Sequence, residues 1–226
     1  LVGAFASDPA AGPFAGRSYL VFGKTSTTAI NLSAVASGFG GFVINGEATG
    51  DSSGYAVSSL GDVNGDGLMD VVIGAKDAAT GAGRSYVVFG KTGSTAIDLS
   101  AVAAGVGGFA INGAAASDFS GWSVSSAGDV NGDGLADVLV GARGSDTSAV
   151  DAGRTYVVYG KTGTGAVDLS AVAAGTGGFA INGAAAGYGS GWSVSSAGDV
   201  NGDGYMDLII GAEDAPLDTD SLRVAT

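Results

Sequence analysis

Asp62-Val63-Asn64-Gly65-Asp66-Gly67-Leu68-Met69-Asp70 is the phrase that decides how this chain is read, and it returns as Asp129 to Asp137 and as Asp199 to Asp207. Each copy leads into a short apolar run that ends in Gly-Ala. Side-chain oxygens stand at the first, third, fifth and ninth positions of every copy: Asp62, Asn64, Asp66 and Asp70, then Asp129, Asn131, Asp133 and Asp137, then Asp199, Asn201, Asp203 and Asp207. With a glycine at the sixth position, this is the arrangement a loop needs to wrap a hard divalent cation, and calcium is the cation expected at three sites.

Two other readings of the phrase can be weighed on its residues. An EF-hand loop needs a bidentate Glu at its twelfth position and a helix on either side. Here that position is Ile73, Val140 or Ile210, inside an apolar run, which speaks against it. A plain hairpin turn would also use Asn-Gly and Asp-Gly. Such a turn has no need of four convergent oxygens, which repel one another without a cation.

The phrase is mounted on a longer repeat. Asp62 and Asp129 are 67 residues apart and Asp129 and Asp199 are 70 apart, and Arg17, Arg84 and Arg154 keep the same two intervals. One module has been copied. Within it the order is Gly-Trp122-Ser-Val124, the acidic loop, Asp137-Val-Leu-Val140, Gly-Arg154-Thr-Tyr156-Val-Val-Tyr159, and Gly-Phe179-Ala-Ile181-Asn. Four short runs rich in β-branched and aromatic residues, each fenced by Gly, Asn, Asp or Ser, predict a small antiparallel sheet of four strands per module. The apolar runs are too short for ordinary helices. One stretch, Ile97 to Ala104 with its copies at Ile30 and Val167, has the start and stop residues for a turn or two of helix between the third and fourth strands.

Composition narrows the class. The 43 glycines recur at fixed places in each copy and so read as turn residues, and only 3 prolines are present. With no cysteine, neither disulfides nor thiolate metal sites are available. The net charge of -13 argues against nucleic acid as a partner. Nine of the 22 acidic residues lie in the three loops, so three calcium ions would bring the charge to about -7. No apolar run is long enough to span a membrane. Catalysis is not expected: there is no His and no Cys, Glu47 and Glu213 are the only glutamates, and no phosphate-cradling glycine motif occurs.

The repeated acidic loop, the Gly-Tyr/Trp-Ser-Val strand before it and the Gly-Ala after it resemble the FG-GAP repeat, the blade of the integrin alpha-chain β-propeller, which bacterial extracellular proteins also carry. The resemblance implies an all-β fold of propeller blades, calcium between the first two strands of each blade, and the carbonyls of Leu68, Leu135 and Tyr205 as further ligands. The repeat's Phe-Gly is Ser53-Gly54, Ser120-Gly121 and Ser190-Gly191 here, and its Gly-Ala-Pro ends in Lys76, Arg143 and Glu213. Blades are expected at 55–120 and 121–190, with partial ones at 1–54 and 191–226, thirteen strands in all. Because Leu1-Val-Gly-Ala4 matches Leu139-Val-Gly-Ala142, the chain reads as an incomplete propeller: part of a longer array, or a piece that neighbouring repeats or another copy completes.

The function implied is a calcium-stabilised, non-catalytic scaffold at the bacterial surface or outside the cell, serving adhesion through a protein or glycan ligand. The alternatives are a structural spacer and the accessory propeller of a secreted hydrolase. The variable connections 76–82 and 144–152 are the expected partner surface. Tyr55, Trp122 and Trp192 read as packing between blades in preference to a sugar platform. Arg17, Arg84 and Arg154 read as inter-blade ion pairs or carbonyl caps. Lys24, Lys91 and Lys161 read as solvated edge charges.

Overall fold

The computed structural model describes residues 1–213. Arg223, 12 residues past Gly211, where the sequence leaves the last module's third strand broken off or degenerate, lies outside them. Fifteen strands follow in chain order. They are β1 (Val2–Ala4), β2 (Arg17–Val21), β3 (Gly41–Asn45), β4 (Ala56–Ser59), β5 (Val71–Ala75), β6 (Arg84–Val88), β7 (Ile97–Asp98), β8 (Gly108–Asn112) and β9 (Ser120–Gly128). Then come β10 (Asp137–Ala142), β11 (Arg154–Val158), β12 (Val167–Asp168), β13 (Gly178–Asn182), β14 (Ser190–Gly198) and β15 (Asp207–Ala212). Four sheets result, in the spatial orders β1-β2-β3-β7, β12-β8-β6-β5-β4, β13-β11-β10-β9 and β14-β15. Consecutive strands pair antiparallel, so each module forms one all-β blade, and the row of blades is an open, incomplete propeller.

Thirteen of these strands are those the repeat predicts. The two additions, β7 and β12, are two residues long and pair parallel with the fourth strand of the preceding sheet, β3 and β8. Each is a latch between blades. Asn45 Nδ2 donates to Asp98 Oδ1 at 2.9 Å and Asn112 Nδ2 to Asp168 Oδ1 at 2.8 Å. Those two aspartates precede the one-turn helices Leu99–Ala103 and Leu169–Ala173, yet they make no side-chain capping bond. In the first module Asn31 stands in that place and does cap its helix, Leu32–Ala36, accepting from Ser33 N.

The core lies between sheets. On β5, Val71 and Ile73 pack toward the first sheet with Phe42, Ile44 and Tyr86, while Val72 packs toward the third with Val138, Val140 and Tyr156. Alternate residues of a middle strand are thus buried on opposite faces, which is why Val-Val-Ile and Val-Leu-Val read as unbroken apolar runs. Close approach of backbones completes the joint: Gly16, Gly83 and Gly153 form isolated parallel bridges to Ser53, Ser120 and Ser190.

The first two blade interfaces differ at Glu47. Glu47 reaches across the first, pairing with Arg84 at 2.7 Å and accepting the hydroxyl of Tyr86. Burial, then the bond to Glu47, pushes that phenol far above its ordinary range. At the second interface Ala114 holds the place of Glu47, and the hydroxyl of fully buried Tyr156 has no hydrogen-bond partner among the described residues. Ala114→Glu is therefore expected to stabilise the chain by about 1–2 kcal/mol through a charge-assisted bond to Arg154 and Tyr156. The urea midpoint checks this; an unchanged midpoint would mean that the interface cannot admit the carboxylate.

Candidate metal centres

Each acidic loop joins the first two strands of a blade. In the first, both oxygens of Asp62 turn back onto the loop's own backbone: Oδ1 accepts Gly65 N at 2.7 Å and Asp66 N at 3.1 Å, and Oδ2 accepts Gly67 N at 2.7 Å. These bonds, led by that from Gly67, hold the carboxyl of Asp62 below the ordinary range. Asn64 Oδ1 accepts Asp66 N at 2.9 Å, and Asp66 Oδ1 accepts Leu68 N at 2.8 Å. Asp70, fully buried, accepts Val63 N at 2.8 Å and, from the connection after β6, Gly90 N at 2.7 Å.

The second loop repeats the pattern. Asp129 accepts Gly132 N, Asp133 N and Gly134 N; Asn131 accepts Asp133 N; Asp133 accepts Leu135 N; and buried Asp137 accepts Val130 N and Gly160 N. In the third, Asp199, Asn201, Asp203 and Asp207 do the same toward Gly202, Asp203, Gly204, Tyr205 and Val200. The loops also touch one another. Ala136 N donates to Asp62 O and Lys161 N to Val63 O, both at 2.9 Å, so the first loop is sewn to the third sheet. The side chain of Leu135 lies against Gly65, and that of Tyr205 near Gly132.

As drawn, the side-chain oxygens satisfy the loop's N–H groups, and among the described residues no three acidic side chains form a ready cation cage. The donor chemistry nonetheless suits a hard cation. The expected side-chain ligands of each loop are all oxygens, and in the first two loops the carboxylates lie close enough to raise the ninth-position aspartate. Burial raises the carboxyls of Asp70 and Asp137, and the nearby Asp62 and Asp66, or Asp129 and Asp133, raise them further. A divalent ion is what would relieve that mutual repulsion.

On another part of each blade Tyr55, Trp122 and Trp192, at the openings of the first strands, form a ladder that Phe5, just after β1, extends. Ring centroids are 5.5 Å apart for Phe5 and Tyr55, 4.9 Å for Tyr55 and Trp122, and 4.9 Å for Trp122 and Trp192. Lys76 lies 4.7 Å and 5.3 Å from the rings of Tyr55 and Trp122, and Arg143 lies 3.9 Å and 4.9 Å from those of Trp122 and Trp192. The cations that replace the proline of the repeat's name occupy the spaces between rings, the arrangement expected of inter-blade packing.

The lysines correct the reading from sequence. Lys91 and Lys161 are not free edge charges: each ammonium sits 4.4 Å from a ring of the preceding blade, Phe42 or Phe109. Desolvation there lowers both lysines from their ordinary value. Of the arginines, Arg84 makes the expected ion pair between blades, with Glu47, whereas Arg17 and Arg154 donate to Asn45 and Asn182 within their own sheets, against the reading from sequence.

Two complete four-stranded antiparallel blades flanked by partial ones, with an acidic loop between the first two strands of the last three, define a β-propeller segment. Comparison with known families matches the FG-GAP repeat at residues 53–88, 120–158 and 190–221. The chain thus carries three FG-GAP repeats. It is also similar to mouse integrin alpha-E, with 34% identity over 142 residues, which cover 58% of this chain and 11% of that relative. This chain therefore spans only a small part of the relative's length.

Proposed function

We propose that the chain is a calcium-stabilised, non-catalytic β-propeller scaffold of a secreted or surface-exposed protein, presenting loops to a protein or glycan ligand in adhesion. The observation that carries this reading is recurrence: one acidic-loop geometry appears three times with nearly the same bond lengths. Identical sites in successive repeats suit architecture, whereas a catalytic centre is asymmetric. When bound, calcium would supply the positive charge that lets the carboxylates of one loop share a space. Asp62, Asn64, Asp66 and Asp70 with the Leu68 carbonyl would hold it, as would Asp129, Asn131, Asp133, Asp137 and Leu135, and Asp199, Asn201, Asp203, Asp207 and Tyr205.

The rest follows from where the loops lie. The acidic loop enters β5 and β10, and the connections 76–82 and 144–152 leave them, so ligand contact at those connections is separated from the metal loops by the length of a strand. Val150, 68% exposed, stands on the second connection. Replacing residues 144–152 by a Gly/Ser segment of equal length is expected to abolish binding on a glycan array or to intact cells while calcium-dependent melting persists. Binding unchanged by that swap would exclude this surface. A chain that binds no glycan and no cell surface would favour the structural spacer, a reading that the inter-blade latches at Asp98 and Asp168 also support.

A further inference from the structure

Six Asn-Gly pairs occur in the chain, and they fall into two sets of three. Asn64-Gly65, Asn131-Gly132 and Asn201-Gly202 lie in the acidic loops; Asn45-Gly46, Asn112-Gly113 and Asn182-Gly183 end the fourth strands. An asparagine followed by glycine can lose its amide, because the next backbone nitrogen, unshielded by a Cβ, attacks the side-chain carbonyl carbon. We propose that Asn64, Asn131 and Asn201 are self-deamidation sites, and that the three strand-end asparagines are held inert.

The loop geometry supports the nucleophile and the carbonyl oxygen and holds the amide in place. Gly65 N–H, the nucleophile, donates to Asp62 Oδ1 at 2.7 Å, so an ionised carboxylate stands ready to accept its proton. Asn64 Oδ1, where negative charge develops, accepts Asp66 N–H at 2.9 Å. Asn64 Nδ2, the leaving nitrogen, donates to Asp66 Oδ2 at 2.9 Å. The other two loops repeat this: Gly132 and Gly202 donate to Asp129 and Asp199 at 2.7 Å, and the amides of Asn131 and Asn201 are held by Asp133 and Asp203.

At the strand ends the same dipeptide is held differently. Gly46, Gly113 and Gly183 donate to the carbonyls of Gly16, Gly83 and Gly153 at 2.9 Å, across strands. A Cβ on any of the three would lie within 2.0 Å of the carbonyl oxygen of Ala15, Ala82 or Ala152. Gly202 has no neighbour in that direction within 4 Å, and Gly65 and Gly132 meet only one side chain each. The strand-end amides are also pinned, Asn45 between Arg17 and Asp98, Asn112 by Asp168 and Asn182 by Arg154. In the loops no inter-strand bond opposes closure of the five-membered ring, whereas at the strand ends one would first have to break.

The step balances without any oxidant or reductant. A bond forms between Gly65 N and Asn64 Cγ as Asp62 takes the proton of Gly65 N, solvent protonates Nδ2, the Cγ–Nδ2 bond breaks and ammonia leaves, and Asp62 returns its proton to solvent. Water then opens the succinimide at either carbonyl, giving aspartate or isoaspartate. Aspartate adds a negative charge to the loop, and isoaspartate inserts an extra backbone carbon between its third and fourth positions. No bound ion enters the reaction, so it stands or falls separately from the calcium reading.

The test uses the full chain in chelator at neutral pH and physiological temperature, followed by peptide mapping over days. Gain of one mass unit is expected at Asn64, Asn131 and Asn201 roughly tenfold faster than at Asn45, Asn112 and Asn182, a ratio equal to about 1.4 kcal/mol in barrier. In Asp129→Asn, which keeps an acceptor oxygen but removes the proton-accepting carboxylate, conversion at Asn131 should fall severalfold while Asn64 keeps its rate. Equal rates at all six asparagines in the unmutated chain would overturn the proposal. So would an Asn131 rate that Asp129→Asn leaves level with that of Asn64.

Discussion

Saturating calcium is expected to raise the melting temperature, and excess chelator to return it to the starting value. Ligand at a hundred times its dissociation constant stabilises by about 2.7 kcal/mol per independent site, so three filled loops would add up to about 8 kcal/mol. Calcium sites in extracellular modules bind in the range of about 0.1–1 mM, so tens of millimolar calcium would reach that regime. Differential scanning calorimetry with calcium and with chelator measures it, and coincident melts would end the calcium reading. Asp66→Ala should reduce the increment by about one third if the sites are independent, whereas Asn45→Ala, which touches no proposed ligand, should leave it intact.

The sign of the pH dependence follows from the buried ninth-position carboxyls. In the metal-free chain Asp70 and Asp137 are raised, first by burial and then by neighbouring carboxylates. A carboxyl raised on folding favours the folded chain while protonated, at low pH, and that contribution is lost as pH rises through the raised value. Calcium needs the ionised form and acts in the opposite sense. The calcium-dependent increment in melting temperature should therefore shrink as pH falls into the carboxylate range, and an increment independent of pH there would contradict binding through these residues.

What sequence could tell about this chain depended on repetition and period. The acidic phrase, the Gly-fenced strands and the helix-bearing connection each recur at 67 or 70 residues, and local chemistry alone dictates them. Contacts between blades were harder to see, because they join residues whose separation no local pattern marks. Asp98 stands at the start of a helix, where an aspartate can cap, but Asn45 of the preceding blade takes its carboxylate, and the two-residue strand β7 accompanies that pairing. Lys91 looked solvated because its own strand ends there; only packing reveals Phe42 beneath it. The backbone donors of Gly90 and Gly160 to the loop aspartates were equally hidden, although Gly-Lys after the third strand repeats in each module and could have flagged them.

Gly83→Ala is expected to be among the most damaging single-methyl additions in the chain. Gly83 stands at a φ of +79°, where an L side chain is strained, and it bridges in parallel to Ser120 of the next blade. A Cβ there would lie 2.0 Å from the Ser120 carbonyl oxygen and 2.5 Å from its nitrogen, both backbone atoms that cannot rotate aside. Gly16 and Gly153 meet Ser53 and Ser190 in the same way, so the contact belongs to the joint between blades. Left-handed strain and overpacking together cost about 2–5 kcal/mol. At about 2–4 °C per kcal/mol for a chain of this size, the melting temperature should fall by roughly 5–20 °C. Gly93→Ala is the matched control, since its Cβ would meet nothing within 4 Å and its φ is not in the left-handed range. If the two variants melt together, the blades are not joined by backbone contact at these glycines, and the stacking must rest on the aromatic ladder and the apolar core alone.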